Sequence, residues 1–338
     1  MQAAWRKAFG FAAANTIGRM HLRRSAPRAL LLAFLLVSAA CGGGGSGAKA
    51  HPKRSAESSL LAPYAYDRRA PLRFRDHGIL NKRYPVKVHA ISYASPKGGR
   101  VRGYVLVPPG NGRLPAVIYM HGSGEDGLAW VPQAAWAAGR RAVGMTIDSP
   151  YARLGRSGSP EGLAGARRDR DLSVQNVVEL RRAVDLLRSH PRVDPNRIGY
   201  VGFSAGARTG AVLAGVEHRI KAYVFLSGGA TPVGAYTGRL PSRLRRQVAA
   251  LLSTSDPLRY VRHADGASLL FLNGRRDELV PQDALRRLAR AAPQPKEVRW
   301  YDTGHAPTAQ VYRDHLRGLA RVLGIRGPPV PGALTGPG

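Results

Sequence analysis

Residues 193–216 read VDPNRIGYVGFSAGARTGAVLAGV, and their character changes at one serine. The RIGYV run at 197–201 is apolar, β-branched and aromatic, the composition of a strand. Small residues from Ala205 to Val216 suit a helix packed closely on its neighbours. Between them Gly202-Phe203-Ser204-Ala205-Gly206 has the form G-x-S-x-G, a tight strand-to-helix turn that lifts a hydroxyl above the edge of a sheet. Small residues flank the serine because larger ones would collide with the neighbouring strand and helix. The chain has 40 glycines, so the bare pattern is weak; the strand before it and the helix after it give it weight.

Outward from this point, strands and helices alternate. Apolar, β-branched runs occur at 86–93, 101–107, 115–120, 142–147, 221–227, 268–272 and 297–301, besides 197–202. Several are continuous rather than alternating, as central strands covered on both faces are. In 173–189, Val177, Leu180, Val184 and Leu187 make one apolar stripe, which leaves Gln175, Glu179 and Arg182 facing away from it. Helices are also expected over 281–292 and 307–323, each opening on a proline (Pro281, Pro307). The first two strands are joined without a helix and the others by helical connections. The expectation is an α/β fold: a mostly parallel, eight-stranded open sheet with helices on both faces. A small lid insertion is expected over about 228–267, with one helix at 241–253.

A serine hydroxyl is a poor nucleophile until a base takes its proton, and the base needs an acid to orient it. Asp277, in NGRRDELVP, follows the strand at 268–272, and His305, in DTGHAP, follows the strand at 297–301. Both fall at the C-terminal ends of parallel strands, where open α/β sheets bind ligands. The order serine, acid, histidine is the one this elbow calls for. Glu278 stands beside Asp277 as an alternative acid. Asp302 is too close to His305 in sequence to reach the far side of its ring. His315 lies within the last helix and His263 in the connection before the seventh strand, both suited to packing or surface roles. His121-Gly122-Ser123-Gly124 follows the strand at 115–120, a position from which the Ser123 N–H can join that of Ala205 in an oxyanion hole.

The N-terminal part carries another signal. Arg23, Arg24 and Arg28 precede the apolar run ALLLAFLLV at 29–37, and small residues follow, the pattern of a secretion signal over 1–40. Met20 is an alternative start that gives a more compact leader. The segment SAAC at 38–41 resembles a bacterial lipobox, in which Cys41 would be lipidated, although Ser38 stands where the motif prefers Leu, Val or Ile. A Gly/Ser-rich tether occupies 41–60, the catalytic domain is expected over 61–325, and 326–338 is a Pro/Gly-rich tail expected to be disordered. The expectation is an exported protein, membrane-anchored through Cys41 or else secreted. Since Cys41 is the single cysteine, no intramolecular disulfide can form. Lys and Arg number 52 against 21 Asp and Glu, for a net charge of +31. The basic residues are scattered, without aromatic interleaving or a reader motif, so nucleic-acid binding is not expected.

Together HGSG, VDPNRIGYVGFSAG, NGRRDELVP and DTGHAP resemble the dienelactone hydrolase and acetyl-xylan-esterase-like branch of the α/β hydrolases. The motifs are also similar to the catalytic domain of prolyl-oligopeptidase-type peptidases. The resemblance covers about 85–325 and implies a Ser204, Asp277 and His305 triad, an oxyanion hole at Ser123 and Ala205, and a small-molecule ester substrate. It implies no metal or organic cofactor. Dienelactone hydrolases proper carry cysteine at the elbow, so Ser204 points to ester hydrolysis. No propeller domain precedes the motifs, which counts against an oligopeptidase. The rival readings are a peptidase or acyltransferase with the same triad, and a catalytically silent binding protein of the same fold. A small lid favours short acyl groups.

Overall fold

The computed structural model describes residues 60–81, 84, 86–154, 162–231, 233–238 and 240–326. The expected leader, nearly all of the tether, Cys41 and the tail beyond Arg326 lie outside the described residues.

Nine strands form one sheet: β1 (Arg75–Asn81), β2 (Val88–Ala94), β3 (Arg100–Leu106), β4 (Leu114–Met120), β5 (Val143–Ile147), β6 (Val193–Phe203), β7 (Ile220–Leu226), β8 (Ser268–Gly274) and β9 (Lys296–Tyr301). Their spatial order is β1-β2-β3-β5-β4-β6-β7-β8-β9. From β5 to β9 all neighbours are parallel, whereas β1, β2 and β3 pair antiparallel and β3 meets β5 antiparallel. Parallel neighbours need crossovers. These come from α1 (Val131–Gly139) after β4, α2 (Pro150–Arg153) and α3 (Gly162–Ser189) after β5, and α4 (Ala205–Ala214) after β6. After β7 come α5 (Val233–Thr237), α6 (Ser242–Ser253) and α7 (Pro257–Val261), then α8 (Gln282–Ala291) after β8 and α9 (Ala309–Leu323) after β9.

The sheet is covered on both faces. On one, Val177, Leu180, Val184 and Leu187 of α3 pack with Ala211 of α4 and Leu288 of α8. On the other, Val131, Ala134 and Ala138 of α1 pack with Leu316 and Leu319 of α9. β4 lies between the two layers and is buried at all seven positions. Each large aliphatic side chain buried in this way contributes about 1.5–3 kcal/mol.

Several expectations are corrected. A loop, not a helix, joins β3 to β4, and the lid holds three helices (α5, α6, α7) rather than one. The sheet has nine strands, not eight. The added strand, β1, reads RDHGILN, too polar to announce itself, and it pairs at the sheet edge through an irregular register. The helix expected at 173–189 begins at Gly162. Its first half has no long apolar stripe; Gly165 and Ala166 face Val248 and Leu252 of α6. Finally, Glu179 and Arg182 do not face solvent. Glu179 is fully buried, receiving two hydrogen bonds from Arg153 Nη2 at 2.7 and 2.8 Å and one from Gln175. Arg182 is buried with Asp185 at 3.0 Å and donates to the Arg68 and Ala70 carbonyls. Charge in sequence looks like a solvent face; here opposite charges and carbonyls replace the water.

Candidate active site

The turn between β6 and α4 holds Ser204 at φ 52°, ψ −111°. A positive φ is costly for a residue with a side chain and persists only where its surroundings enforce it. They do so here. The Ser204 N–H donates to the Leu226 carbonyl of β7 at 2.8 Å, and its carbonyl accepts from Arg208 N at 3.1 Å. A Cβ at Gly202 would strike the Gly206 and Ala207 backbone, and one at Gly206 would strike the Met120 and His121 carbonyls. The two glycines of the motif therefore let the helix start against β4 and β6, with the serine at the tip.

His305, in the loop after β9, is buried. Its Nδ1 lies 3.0 and 2.9 Å from the two oxygens of Asp277, in the loop after β8, and the Asp277 side chain is fully buried. Asp277 is fixed by the N–H groups of Leu279 and Val280, which donate to Oδ1 at 2.9 and 2.8 Å. With Nδ1–H facing the carboxylate, Nε2 is left as the basic nitrogen. Ser227, itself at φ 50°, holds the loop by donating its hydroxyl to the His305 carbonyl at 2.9 Å. The ring of Phe203 lies 5.0 Å from that of His305, centroid to centroid. Ser204 Oγ makes no hydrogen bond to Nε2; such bonds commonly tighten only when substrate arrives.

The other candidates fall elsewhere. Glu278 is exposed and touches His305 only through its backbone, accepting from His305 N at 3.2 Å. Asp302 is exposed and pairs with Arg276 at 3.3 Å. His263 donates its backbone N–H into the turn after α7. His315 is fully buried among Tyr119, Trp136 and Tyr312, and burial pulls its pKa down to about 3.

The loop after β4 is held by its own side chains. Ser149 N donates to His121 Nε2 at 3.0 Å, so the proton is on Nδ1, which donates to the Gly122 carbonyl at 2.7 Å. Glu125 accepts from Gly122 N at 2.8 Å and from Trp130 Nε1 at 3.1 Å. Ser123 lines the adjoining cavity, as does Ala205. Ala205 is the first residue of α4, so its N–H has no intrahelical acceptor. The bracing by His121 and Glu125 was not foreseen in the sequence, although Glu125 three residues after Gly122 has the spacing of a side chain folding back on a loop amide.

The cavity holds about 870 Å³ and runs from Ser123 and Ala205 between α3 and α4 to Leu252 of the lid. Its walls mix apolar surface with polar groups, among them Tyr151, Asp169, Ser173, Asn176, Arg208 and Thr209. Burial raises the Asp169 carboxyl above its ordinary value. Nothing in the motifs singled these residues out, because each lies within an ordinary helical pattern.

This sheet order, with a strained serine at a strand-to-helix elbow, defines an α/β hydrolase. The chain matches the family model for acetyl xylan esterase (AXE1) over 74–227 and the dienelactone hydrolase family over 151–314. It therefore belongs to the α/β-hydrolase superfamily and is similar to both of those families, each over just under half of its length. Among solved structures it is similar to the acetyl xylan esterase from Paenibacillus sp. R4, with a TM-score of 0.65 and 20% identity over 80% of this chain and 94% of that one. Acetyl xylan esterase 1 from Thermoanaerobacterium sp. gives a TM-score of 0.63 and 16% identity, covering 79% and 93%. Among curated proteins it is 26% identical over 236 residues to acyl-coenzyme A thioesterase 3 of Mus musculus, covering 61% of this chain and 51% of that protein. The chain spans about half the length of that relative.

Proposed function

We propose that the chain is a serine esterase for short acyl groups, with Ser204 as nucleophile, His305 as base and Asp277 as the acid that orients it. The observation that supports this best is the buried His305–Asp277 pair, held at the same sheet edge as the strained serine. Ser204 Oγ attacks the ester carbonyl as His305 Nε2 takes its proton. The oxyanion that forms is met by the N–H groups of Ser123 and Ala205. Collapse expels the alcohol, which leaves with the proton from His305. Water then attacks the acyl-enzyme, again giving its proton to His305, and the carboxylic acid is released. The lid, three short helices between β7 and β8, is too slight to form a deep acyl tunnel, so acetyl to butyryl esters should be preferred.

A fluorophosphonate probe should label the wild type, and Ser204→Ala should abolish both labelling and p-nitrophenyl acetate hydrolysis. Activity above about a tenth of wild type in that variant would overturn the assignment. Higher kcat/KM on decanoyl than on acetyl or butyryl esters would overturn the acyl preference.

We also propose export with lipidation at Cys41, a reading supported by the leader pattern and the Gly-rich tether that follows it. A diacylated cysteine supplies the two chains that stable anchoring needs. Cys41→Ser should move the protein from the membrane to the soluble fraction. An unmodified Cys41 in protein recovered from the medium would replace anchoring with secretion.

A further inference from the structure

Arg208 stands out in the cavity wall. Several part-buried arginines nearby are committed: Arg153 to Glu179, Arg182 to Asp185, and Arg219 to Glu217 and Asp185. Arg208 is half-buried and lines the cavity, yet its guanidinium makes no hydrogen bond or ion pair with any described residue. Its position is also electrostatically poor. It sits in the first turn of α4, where the aligned peptide dipoles already carry partial positive charge and a cation is disfavoured. A partly desolvated, unpaired guanidinium at a positive helix end costs stability with no return inside the protein. An anion delivered by substrate would supply it.

The surroundings fit such a guest. Ala205, Arg208, Thr209 and Val212 follow one face of α4, and Ser173, Asn176 and Val177 face them from α3. Asn176 donates to Thr209 Oγ1 at 3.3 Å, which leaves the threonine O–H free to donate into the cavity. Three acidic groups line the cavity: burial raises the Asp169 carboxyl above its ordinary value, while Glu125 and Asp126 are already engaged by the N–H groups of Gly122, Trp130, Leu128 and Ala129. A guanidinium offers a planar fork of donors suited to carboxylate and phosphate alike.

We propose that Arg208 is a specificity residue for anionic substrates: the preferred esters carry a carboxylate or phosphate about one helical turn, roughly 5 Å, beyond the scissile carbonyl. This rests on Ser204 being the nucleophile.

The test compares wild type with Arg208→Gln and Arg208→Lys on four esters. Phenyl acetate is neutral, monophenyl glutarate carries a carboxylate on the acyl side, 4-acetoxybenzoate carries one on the leaving group, and 4-acetoxyphenyl phosphate carries a phosphate there. For at least one anionic ester, kcat/KM relative to phenyl acetate should fall by about ten- to a hundredfold in Arg208→Gln, the size of a lost charge-assisted hydrogen bond. Arg208→Lys should keep part of the preference. Which ester responds identifies the anion and the side of the scissile bond it occupies. If all three ratios are the same in wild type and Arg208→Gln, the proposal is overturned. Hydrolysis of phenyl acetate by Ser204→Ala would instead overturn the esterase reading, so the two failures are distinct.

Discussion

The ring of Phe203 lies against that of His305 at 5.0 Å between centroids and 42° between planes, so the residue preceding the serine also packs on the proposed base. The elbow and the histidine loop are thereby coupled through a side chain that the G-x-S-x-G pattern leaves unspecified. An aromatic pair of this kind is worth about 0.5–1.5 kcal/mol beyond its buried area. Phe203→Ala should therefore lower kcat by about two- to tenfold, and Phe203→Tyr should restore most of it. Steady-state kinetics on p-nitrophenyl acetate checks this; an unchanged kcat in Phe203→Ala would show that His305 is held by Asp277 and Ser227 alone.

The two neighbouring acids should separate cleanly. Asp277 faces Nδ1 of His305 with both oxygens from a fully buried position, whereas exposed Glu278 accepts only the backbone N–H. Asp277→Asn would favour the wrong tautomer and leave the imidazolium unsupported, lowering kcat by roughly three to four orders of magnitude. Glu278→Gln keeps an acceptor for that N–H and should change kcat by less than about threefold. The reverse ranking would make Glu278 the acid.

The proposed triad residues were easier to pick out in the sequence than the cavity walls beside them. Ser204, Asp277 and His305 each sit just past a strongly apolar strand, and a strand end followed by a loop is a local signal. β1 gave none, since RDHGILN is half polar and pairs on one side only. Glu179 and Arg182 were misread because helical periodicity separates apolar from charged faces and cannot tell water from an opposite charge. Arg153 and Asp185, which hold them, lie on another helix and one turn away respectively. The cavity residues Asp169, Asn176 and Arg208 meet only when α3 and α4 pack together, a long-range event that no local pattern records.

The misread pair offers a stability test. Arg153 bridges the Asp148 carbonyl, at 2.7 Å, to the fully buried Glu179. Arg153→Met would leave that carboxylate buried with only Gln175 as side-chain partner, at a cost of about 3–5 kcal/mol. The double variant Arg153→Met, Glu179→Gln should recover much of this, because the uncompensated charge is gone. Urea denaturation of the four species closes the cycle; equal stability of single and double variants would show that the charge on Glu179 is not what the arginine compensates.

His315 contributes to the acid response. Burial among Tyr119, Trp136 and Tyr312 lowers its pKa from 6.5 to about 3, and burial does the same to His190. A histidine that stays neutral in the folded protein but protonates near pH 6.5 when unfolded favours unfolding as pH falls. Its contribution to stability is complete above about pH 6.5 and is lost progressively from there toward pH 3. Between pH 8 and pH 5 the loss depends on the unfolded value alone, because the folded ring remains neutral throughout, and it comes to about 2 kcal/mol per residue. Replacing His315 with leucine removes the titrating group while keeping an apolar side chain among the three rings. The stability lost between pH 8 and pH 5, from urea midpoints at the two pH values, should therefore be smaller in His315→Leu than in wild type by about 2 kcal/mol. An identical loss in both proteins would mean that the folded protein takes up the proton at His315 as readily as the unfolded chain does, which the closed aromatic cage around it argues against.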